Sequence, residues 1–189
     1  WGDICQICDD DEEIADDAEE IIIKAYEENP YAGLIAFSLR RNDCHITYPE
    51  RKGTLGFKQI LKTSSLQLTF SLRMLEQYGI RFDEKMGSGT GNGGGEENKF
   101  MLDWRKTGVE MLYCPDVIAT VNPGESQWFR GYDACYFQNL GWTERRLLGN
   151  LLGIIYIFYW PIFRRKQYKD TCTLSLFQTY SDRQSVRQS

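Results

Sequence analysis

Apolar positions near the start of the chain follow first a strand spacing, then a helix spacing, then a strand spacing again. Residues 3–8 alternate and predict a strand that runs into an acid triplet. Residues 16–28 carry apolar side chains at helical intervals, with Asp16 or Asp17 placed to cap the first turn and Asn29-Pro30 to end the helix. Residues 33–39 are a continuous apolar run, which is typical of a strand buried in a sheet. Strand, helix and strand in this order predict an α/β domain.

The middle of the chain predicts shorter elements separated by glycine and proline. Residues 40–61 are polar and punctuated by glycine, so we expect a loop with weak strand content. Residues 66–78 should begin as a strand and finish as a short helix before Gly79. The remaining elements are a helix over 96–107 stopped by Gly108, a strand over 109–114 ended by Pro115, and another strand over 117–121.

Residues 147–163 form an uncharged stretch between Arg145-Arg146 and Arg164-Arg165-Lys166. Three structures fit it: a buried amphipathic helix, a helix lying on a membrane surface, and a membrane-spanning helix. We favour the surface helix, because the stretch is slightly short for a straight span and its basic flanks suit a membrane surface. The residues beyond 171 are polar and predict a frayed tail.

Composition changes this picture in two ways. The net charge of −5 argues against a nucleic-acid-binding protein. The charge is also uneven, because residues 9–20 hold acids without a base whereas the residues from Glu144 onward are mainly basic. The six cysteines are scattered and His45 is the only histidine, so we expect reduced cysteines in a cytosolic protein and no zinc site.

Three consecutive aspartates, Asp9, Asp10 and Asp11, lie where the first predicted strand ends. Clustering them is electrostatically costly unless a cation neutralises them, and carboxylate oxygens are the ligands that Mg²⁺ and Mn²⁺ prefer. The other interpretation is a solvated acidic loop before the next helix, which is what most acid runs are. The residues alone leave both interpretations open.

A glycine-dense loop over residues 87–95 precedes two adjacent acids, Glu96 and Glu97. Glycines let the backbone approach a ligand and let the loop move, and two adjacent acids can divide proton transfer and substrate hydrogen bonding between them. Glutamate is also common in the first turn of any helix, so a purely structural origin stays open. The chain has no phosphate-binding loop of the nucleoside-triphosphatase type.

The two motifs together, about 85 residues apart, resemble those of family 2 glycosyltransferases. Cys8-Asp9-Asp10-Asp11 is similar to their D-x-D motif, with Asp9 and Asp11 at the two acid positions. Phe82-Asp83-Glu84, followed by Gly95-Glu96-Glu97-Asn98-Lys99-Phe100, is similar to their F-D-E and G-G-E-D-x-x-F signature. The resemblance extends from about residue 3 to about residue 145.

The resemblance implies a GT-A fold and inverting transfer of a sugar from a nucleotide-sugar donor to an acceptor hydroxyl. By position, Asp11 would hold a divalent cation, Mg²⁺ or Mn²⁺, on the donor diphosphate, and Asp9 would contact the nucleoside or ribose. Asp10 lies between them in the donor-binding segment. Glu97 stands where the family usually has a catalytic aspartate and would deprotonate the acceptor, with Glu96 as the other candidate base. Gly94 and Gly95 belong to the loop that would face the acceptor.

Several features depart from the family pattern. Glu97 replaces an aspartate, which keeps the acid and lengthens its reach. Asn122 lies where many relatives carry a metal-binding histidine, so the metal prediction is weakened. Trp128 either stacks on a sugar face or packs under the tail helix. The chain opens at Trp1 without the family's N-terminal donor-binding segment, so we expect an N-terminally truncated domain.

We therefore predict an α/β fold of GT-A type, a Rossmann-like mixed sheet flanked by helices, incomplete at its N-terminus and followed by a C-terminal hydrophobic helix. The predicted divisions are residues 1–143 as the C-terminal part of a glycosyltransferase domain, 144–170 as an amphipathic or membrane-associated helix, and 171–189 as a polar tail. The predicted function is inverting glycosyl transfer, of hexosyltransferase type, to a glycan or lipid-linked acceptor during cell-surface polysaccharide synthesis. We expect it in the cytoplasm, at the inner face of the plasma membrane. The alternatives are a catalytically inactive carbohydrate- or membrane-associating module and a cation-binding acidic protein without sugar chemistry.

Overall fold

The computed structural model describes residues 2–9, 12–41, 49–87, 89–121 and 133–163. Within these ranges the strands are β1 (Ile4–Gln6), β2 (Glu12–Ile14), β3 (Ala32–Arg41), β4 (Gly53–Thr54), β5 (Leu68–Ser71) and β6 (Glu110–Val121). The helices are α1 (Ala18–Glu28), α2 (Phe57–Ile60), α3 (Leu72–Tyr78), α4 (Glu96–Thr107) and α5 (Ala134–Phe163), with a 3₁₀ turn at Ser65–Gln67. The chain divides into two compact units, the first comprising Trp1–Phe82 and Phe100–Ser126, the second Asp83–Lys99 and Gln127–Ser189.

The first unit is built on a mixed sheet with strand order β1-β5-β3-β6-β2, in which β4 also pairs with β6. The central strands β3 and β6 run parallel, whereas β5 is antiparallel to both β1 and β3, and β2 and β4 are antiparallel to β6. The parallel pair is long and its β3 strand is buried from Ala32 to Leu39. A continuous apolar run with both faces covered is what a central strand requires.

Helix α1 covers one face of this sheet through small and aliphatic residues at helical spacing. Ala18, Ile22 and Ala25 pack into a core with apolar side chains of β3 and β6. The hydroxyl of Tyr26, on the same helix, lies 3.1 Å from that of Thr69 on β5. Burial of these apolar surfaces, at roughly 25 cal/mol per Å², is the main stabilising contribution of the helix.

Helix α4 covers the opposite face. Phe70 follows Thr69 on β5 and packs edge-to-face on Phe100 of α4, with ring centroids 5.1 Å apart. Because successive strand residues point to opposite sides of a sheet, α1 and α4 must lie on different sides. Further along α4, Trp104 is fully buried and lies against Gly33 of β3. The first unit is therefore a sheet sandwiched between helices, as the sequence predicts.

Strand β6 contradicts the prediction of two strands separated at Pro115. It runs unbroken from Glu110 to Val121. Its parallel pairing with β3 passes from Phe37↔Cys114 to Ser38↔Val117, so Pro115 and the residue after it lie in a bulge. Proline has no N–H to donate to a ladder, and a bulge removes that requirement without ending the strand.

Three smaller predictions also need correction. Residues 40–61 contain the weak strand content that the sequence predicts, as β4, but also a one-turn helix, α2, that it does not predict; Ile60 in α2 and Leu55 before it are buried. Strand β2 was not expected, because its Glu-Glu-Ile sequence is mostly polar and pairs only at the sheet edge. Asp17 occupies the N-cap position of α1, but its side chain makes no capping hydrogen bond.

Helix α5 lies in the second unit and differs from the predicted C-terminal hydrophobic helix over 144–170. It begins at Ala134 and is interrupted at Gly149, where φ is +79° and ψ is 171°. Gly153 lies so close to Arg145 that an added Cβ would be 2.7 Å from the Cα of Arg145. Residues eight positions apart in a continuous helix are separated by ~12 Å, so the chain turns back at Gly149. Within the described ranges, no helix is long and apolar enough to cross a membrane.

Candidate active site

The acidic motif of the first unit is only partly within the described residues. Asp9 is exposed and follows β1, as the sequence predicts, whereas Asp10 and Asp11 lie outside the described residues. In the part of the chain that the structure describes, no group of three potential metal-ligating side chains is found. Asp9 has the oxygen chemistry that suits a hard divalent cation, but one exposed carboxylate does not make a site. The metal and donor roles of Asp9 and Asp11 stay predictions.

The glycine loop, defined here as residues 83–95, is a closed structure within the second unit. Its stem is held by a bond from the Gly87 N–H to the Gly93 carbonyl, at 3.2 Å. The Thr90 hydroxyl donates to the Gly87 carbonyl at 2.8 Å, and the Asn92 side-chain amide donates to the Lys85 carbonyl at 2.9 Å. These bonds give the loop a defined conformation rather than leaving it as an unstructured linker.

The glycine loop delivers Glu96 and Glu97 at the N-terminus of α4. The Gly95 carbonyl accepts the first helical bond, from the Lys99 N–H at 2.9 Å, and Gly95 itself has a φ of +93°. A left-handed residue here turns the chain sharply from loop into helix, which favours glycine at this position. The free N–H groups of the first helical turn also favour nearby carboxylates.

Glu96 is packed against the glycine loop. A Cβ built on Gly87 would lie 2.6 Å from Glu96 Oε1, and Gly87 is buried with a φ of +89°. The other oxygen, Oε2, is shielded from solvent and has no hydrogen-bond partner. Burying a polar atom without a hydrogen-bond partner is costly, so the placement of this oxygen calls for more than an ordinary surface position.

Glu97 is partly buried, and burial raises the pKa of its carboxyl above the ordinary value. Its own backbone N–H opposes this shift in pKa, and the negative charge of Glu96 adds to it. A raised pKa makes a carboxylate a better proton acceptor at neutral pH. The two adjacent acids therefore have different surroundings, one in contact with the loop and one made more basic.

Two interactions between the glycine loop and α5 could not be predicted from sequence. Asp83 forms a bidentate ion pair with Arg146, with Nε to Oδ2 at 2.6 Å and Nη2 to Oδ1 at 2.9 Å. The hydroxyl of Thr143 donates to the Gly94 carbonyl at 3.1 Å. The only sequence signals were the F-D-E acid and the Arg145-Arg146 pair, which do not indicate which groups meet.

Helix α5 also carries a buried acid that sequence reasoning missed. Glu144 is 9% exposed, and burial raises the pKa of its carboxyl to about 7. Trp128, the predicted sugar-stacking residue, lies outside the described residues. Gly94 is exposed and Gly95 half-buried, as positions at the mouth of a loop require.

The second half of α5 exposes a set of large apolar side chains. They are Leu151, Leu152, Ile154, Ile155 and Tyr159. Leu151 is the most exposed of them, at 73%. Exposed apolar residues that recur at helical spacing form a continuous face, and such a face usually has a partner.

A shallow cleft of the first unit, with a cavity volume of about 540 Å³, contains none of the predicted site residues. It is lined by Tyr31, Met74, Gln77, Tyr78, Gly108, Val109 and Glu110. With one carboxylate and mostly open walls, this cleft has no arrangement of groups that indicates chemistry. The glycine loop with Glu96 and Glu97 is therefore the better candidate for an active site.

Comparisons with known proteins agree with the architecture. No protein-family model matches the chain, and no curated protein matches it. Among solved structures, it is similar to TarS of S. aureus, a glycosyltransferase, in complex with UDP-GlcNAc, with a TM-score of 0.61 and 12% identity over 95% of this chain and 55% of that one. The structure of TarS in complex with UDP gives a TM-score of 0.55 and 11% identity, over 96% and 57% of the two chains.

At this level of identity the likeness concerns the fold alone. The chain has the mixed α/β fold of a glycosyltransferase structure, which confirms the predicted fold class at that level. It spans about half the length of the TarS structures it matches.

Proposed function

We propose that this chain is part of an inverting family 2 glycosyltransferase that moves a sugar from a nucleotide-sugar donor to an acceptor hydroxyl. The observation that carries the proposal is the closed glycine loop presenting Glu96 and Glu97 at the start of α4. The similarity in fold to a glycosyltransferase supports it. An exposed acid pair on an ordinary surface helix would need neither a closed loop nor a buried, partnerless carboxylate oxygen.

In this proposal Glu97 is the base. Its carboxylate accepts the proton of the acceptor hydroxyl while the acceptor oxygen attacks the anomeric carbon, and the nucleoside diphosphate leaves from the opposite face. Glu96 is the neighbouring acid, which hydrogen-bonds a substrate hydroxyl. A base whose pKa is raised by burial is better matched to this step at neutral pH than an exposed carboxylate.

Asp9, Asp10 and Asp11 form the donor-binding segment in the proposal. Asp11 and Asp9 would hold Mg²⁺ or Mn²⁺ with the donor diphosphate, and the cation would supply charge stabilisation for the leaving group. The TarS structures contain UDP-GlcNAc and UDP, so a UDP-sugar is the first donor to test. Gly94, Gly95 and Trp128 are proposed to face a glycan or lipid-linked acceptor.

Glu97→Gln tests the assignment of the base, in the full chain incubated with UDP-sugars and followed by release of UDP. Loss of a general base lowers turnover by ~10²–10⁴-fold, and we expect a fall in this range with donor affinity unchanged. Glu110→Gln, an exposed glutamate at the start of β6, is the matched control and should leave turnover unchanged. Near-normal turnover of the Glu97→Gln protein would exclude Glu97 as the base and make Glu96 the next candidate. Asp11→Ala should abolish sugar transfer, because the donor diphosphate and its cation would no longer be bound.

The second candidate function is a catalytically inactive carbohydrate- or membrane-associating module. The exposed apolar face of α5 favours it, because such a face serves association rather than catalysis. Titration of the chain with UDP by calorimetry separates the two functions. Micromolar binding would favour the transferase, and no binding with or without Mg²⁺ would favour the inactive module.

We propose that the protein acts at the inner face of the plasma membrane, in synthesis of a cell-surface glycan. Support comes from the exposed apolar side chains of α5 and from Arg164-Arg165-Lys166, which follow them in sequence. Apolar residues flanked by basic ones favour an anionic lipid surface. Binding to phosphatidylserine vesicles should therefore be detectable by co-sedimentation at low salt and should weaken as salt screens the charges.

Leu151→Glu combined with Ile155→Glu tests this surface, because the two side chains are one helical turn apart and both exposed. Burying one aliphatic side chain contributes ~1.5–3 kcal/mol, so we expect vesicle binding to fall at least about tenfold. Ile23→Glu, an exposed apolar residue of α1, is the control and should bind like the unchanged protein. Equal vesicle binding by the unchanged protein, the double variant and Ile23→Glu would contradict a membrane-binding role for this face of α5.

A further inference from the structure

Both ends of the glycine loop contact the same helix. At one end the Asp83 carboxylate is paired with Arg146, and at the other the Gly94 carbonyl accepts a hydrogen bond from Thr143. Thr143 and Arg146 are three residues apart on α5, so they share one face of the helix. The loop is thus attached to α5 at two points rather than one.

The Asp83–Arg146 contact is strongly oriented. The guanidinium donates two parallel bonds, and the Lys85 N–H donates to the same carboxylate at 3.1 Å. These bonds, led by that from Arg146, hold the pKa of Asp83 below its usual value. Arg146 also lies over the ring of Trp142, 5.4 Å from its centroid, which limits the positions the guanidinium can take. A planar fork fixed in this way sets the direction of the carboxylate as well as its distance.

The backbone of the loop lies directly against α5 between these two points. A Cβ on Gly93 would overlap the Thr143 side chain and would lie 2.8 Å from the Asn139 carbonyl. A Cβ on Gly95 would lie 3.1 Å from Thr143 Cγ2. Position 93 therefore requires glycine because the loop backbone lies too close to α5 for a Cβ atom, and not only because the loop must bend.

We propose that Arg146 and Thr143 are positioning residues, which set the conformation of the glycine loop and through it the direction of the Glu96 carboxylate. The path is short: Arg146 holds Asp83 at the loop stem, the loop closes through the Gly87–Gly93 bond, and Gly87 contacts Glu96. We call Asp83, Gly94, Thr143 and Arg146 the loop clamp. The catalytic consequence rests on the function proposed above, whereas the structural consequence does not.

Amide hydrogen exchange tests the structural consequence independently of activity. In Arg146→Met, which removes the charge but keeps an aliphatic side chain, the amides of Lys85, Gly87 and Thr90 should exchange about 3- to 10-fold faster. Lys106→Met is the matched control, because it removes an exposed ion pair to Asp103 within α4, away from the loop. We expect it to leave exchange in the loop unchanged. Asp83→Asn, which keeps the volume of the side chain, should also speed exchange of these amides. This second variant keeps the test decisive if Arg146→Met folds poorly.

The double variant Asp83→Arg/Arg146→Asp exchanges the two charges. It should restore part of the protection of the loop amides against exchange, because the ion pair is re-formed in the reverse direction. Unchanged exchange of the loop amides in both Arg146→Met and Asp83→Asn would overturn the clamp. If the clamp stands, the catalytic consequence predicts a lower kcat for Arg146→Met with KM for the donor unchanged, and recovery of kcat in the exchanged pair. Faster exchange of the loop amides together with a normal kcat would support the clamp and refute its catalytic role. Absence of turnover in the unchanged protein would count against the proposed function and not against the clamp.

Discussion

Gly87 is the loop residue through which the conformation of the glycine loop reaches Glu96, and Gly87→Ala perturbs that contact directly. The new methyl group would lie 2.6 Å from Oε1, 2.7 Å from Cδ and 3.0 Å from Oε2 of Glu96. The first two separations are shorter than real Cβ contacts, so the carboxylate must move. Because it is the end of a flexible side chain, it can move without unfolding the helix.

The expected magnitude has two parts. A non-glycine residue at a φ of +89° costs about 1–2 kcal/mol of folding stability. Displacing the carboxylate adds a catalytic cost, since a misplacement of about 1 Å can lower turnover ~10²-fold. We therefore expect a loss of about 1–2 kcal/mol in the free energy of unfolding and a roughly 10- to 100-fold fall in kcat.

Gly89→Ala separates the two parts. Gly89 has a similar φ of +80°, but an added Cβ would have no atom within 4 Å. Both variants should lose similar stability in urea denaturation, and only Gly87→Ala should lose substantial turnover. In a Glu96→Ala background, the extra catalytic effect of Gly87→Ala should disappear, because the group that it displaces is gone. Equal turnover for Gly87→Ala and Gly89→Ala would refute the importance of the Gly87–Glu96 contact.

Two further predictions concern stability and need no assay of transfer. The carboxyl of Glu144 has a pKa of about 7 in the folded protein against an ordinary 4.5. The contribution of this carboxyl to the free energy of unfolding is therefore fully present below pH 4.5 and is lost as the pH rises through 7. Glu144→Gln should raise the free energy of unfolding by about 1–3 kcal/mol at pH 8 and leave it unchanged at pH 4.5, measured by urea denaturation; a pH-independent effect would contradict this origin. Gly33→Ala places a methyl group against the buried rings of Trp104 and should cost roughly 1–3 kcal/mol, whereas Gly53→Ala, with open space around it, should cost little. Equal thermal shifts for the two glycine variants would contradict the packing argument.

Elements with local signals were predicted well. Helix α4 begins and ends at the residues that its apolar spacing and Gly108 indicate, and β5 passes into α3 as expected before Gly79. Strand β3 also lies where its apolar run indicates. The signals are local in each case: apolar spacing within the element and, for α4 and α3, the glycine that follows the last helical residue, so no distant partner is needed to recognise these elements.

Elements that depend on distant partners were predicted poorly. Strand β6 continues through Pro115 because β3 accommodates a bulge there, and β2 forms because β6 offers an edge for pairing. The α5 region was expected to be one hydrophobic helix, but Gly149 turns the chain back on itself. None of these outcomes is encoded in the periodicity of the segment concerned.

For the candidate site, the order of residues indicated the functional groups: an acid pair, Glu96-Glu97, directly after a glycine-dense loop. It could not determine that Asp83 meets Arg146 across 63 positions or that Thr143 meets Gly94 across 49. Nor could it indicate that Glu144 is buried, or that Gly87 rather than Gly89 touches Glu96. Residue type determines which protons and charges a group can hold, and this is a local property. Which groups meet, and how far water is excluded from them, depends on how segments distant in the chain pack together, so it can be read from the folded protein and not from the residue order.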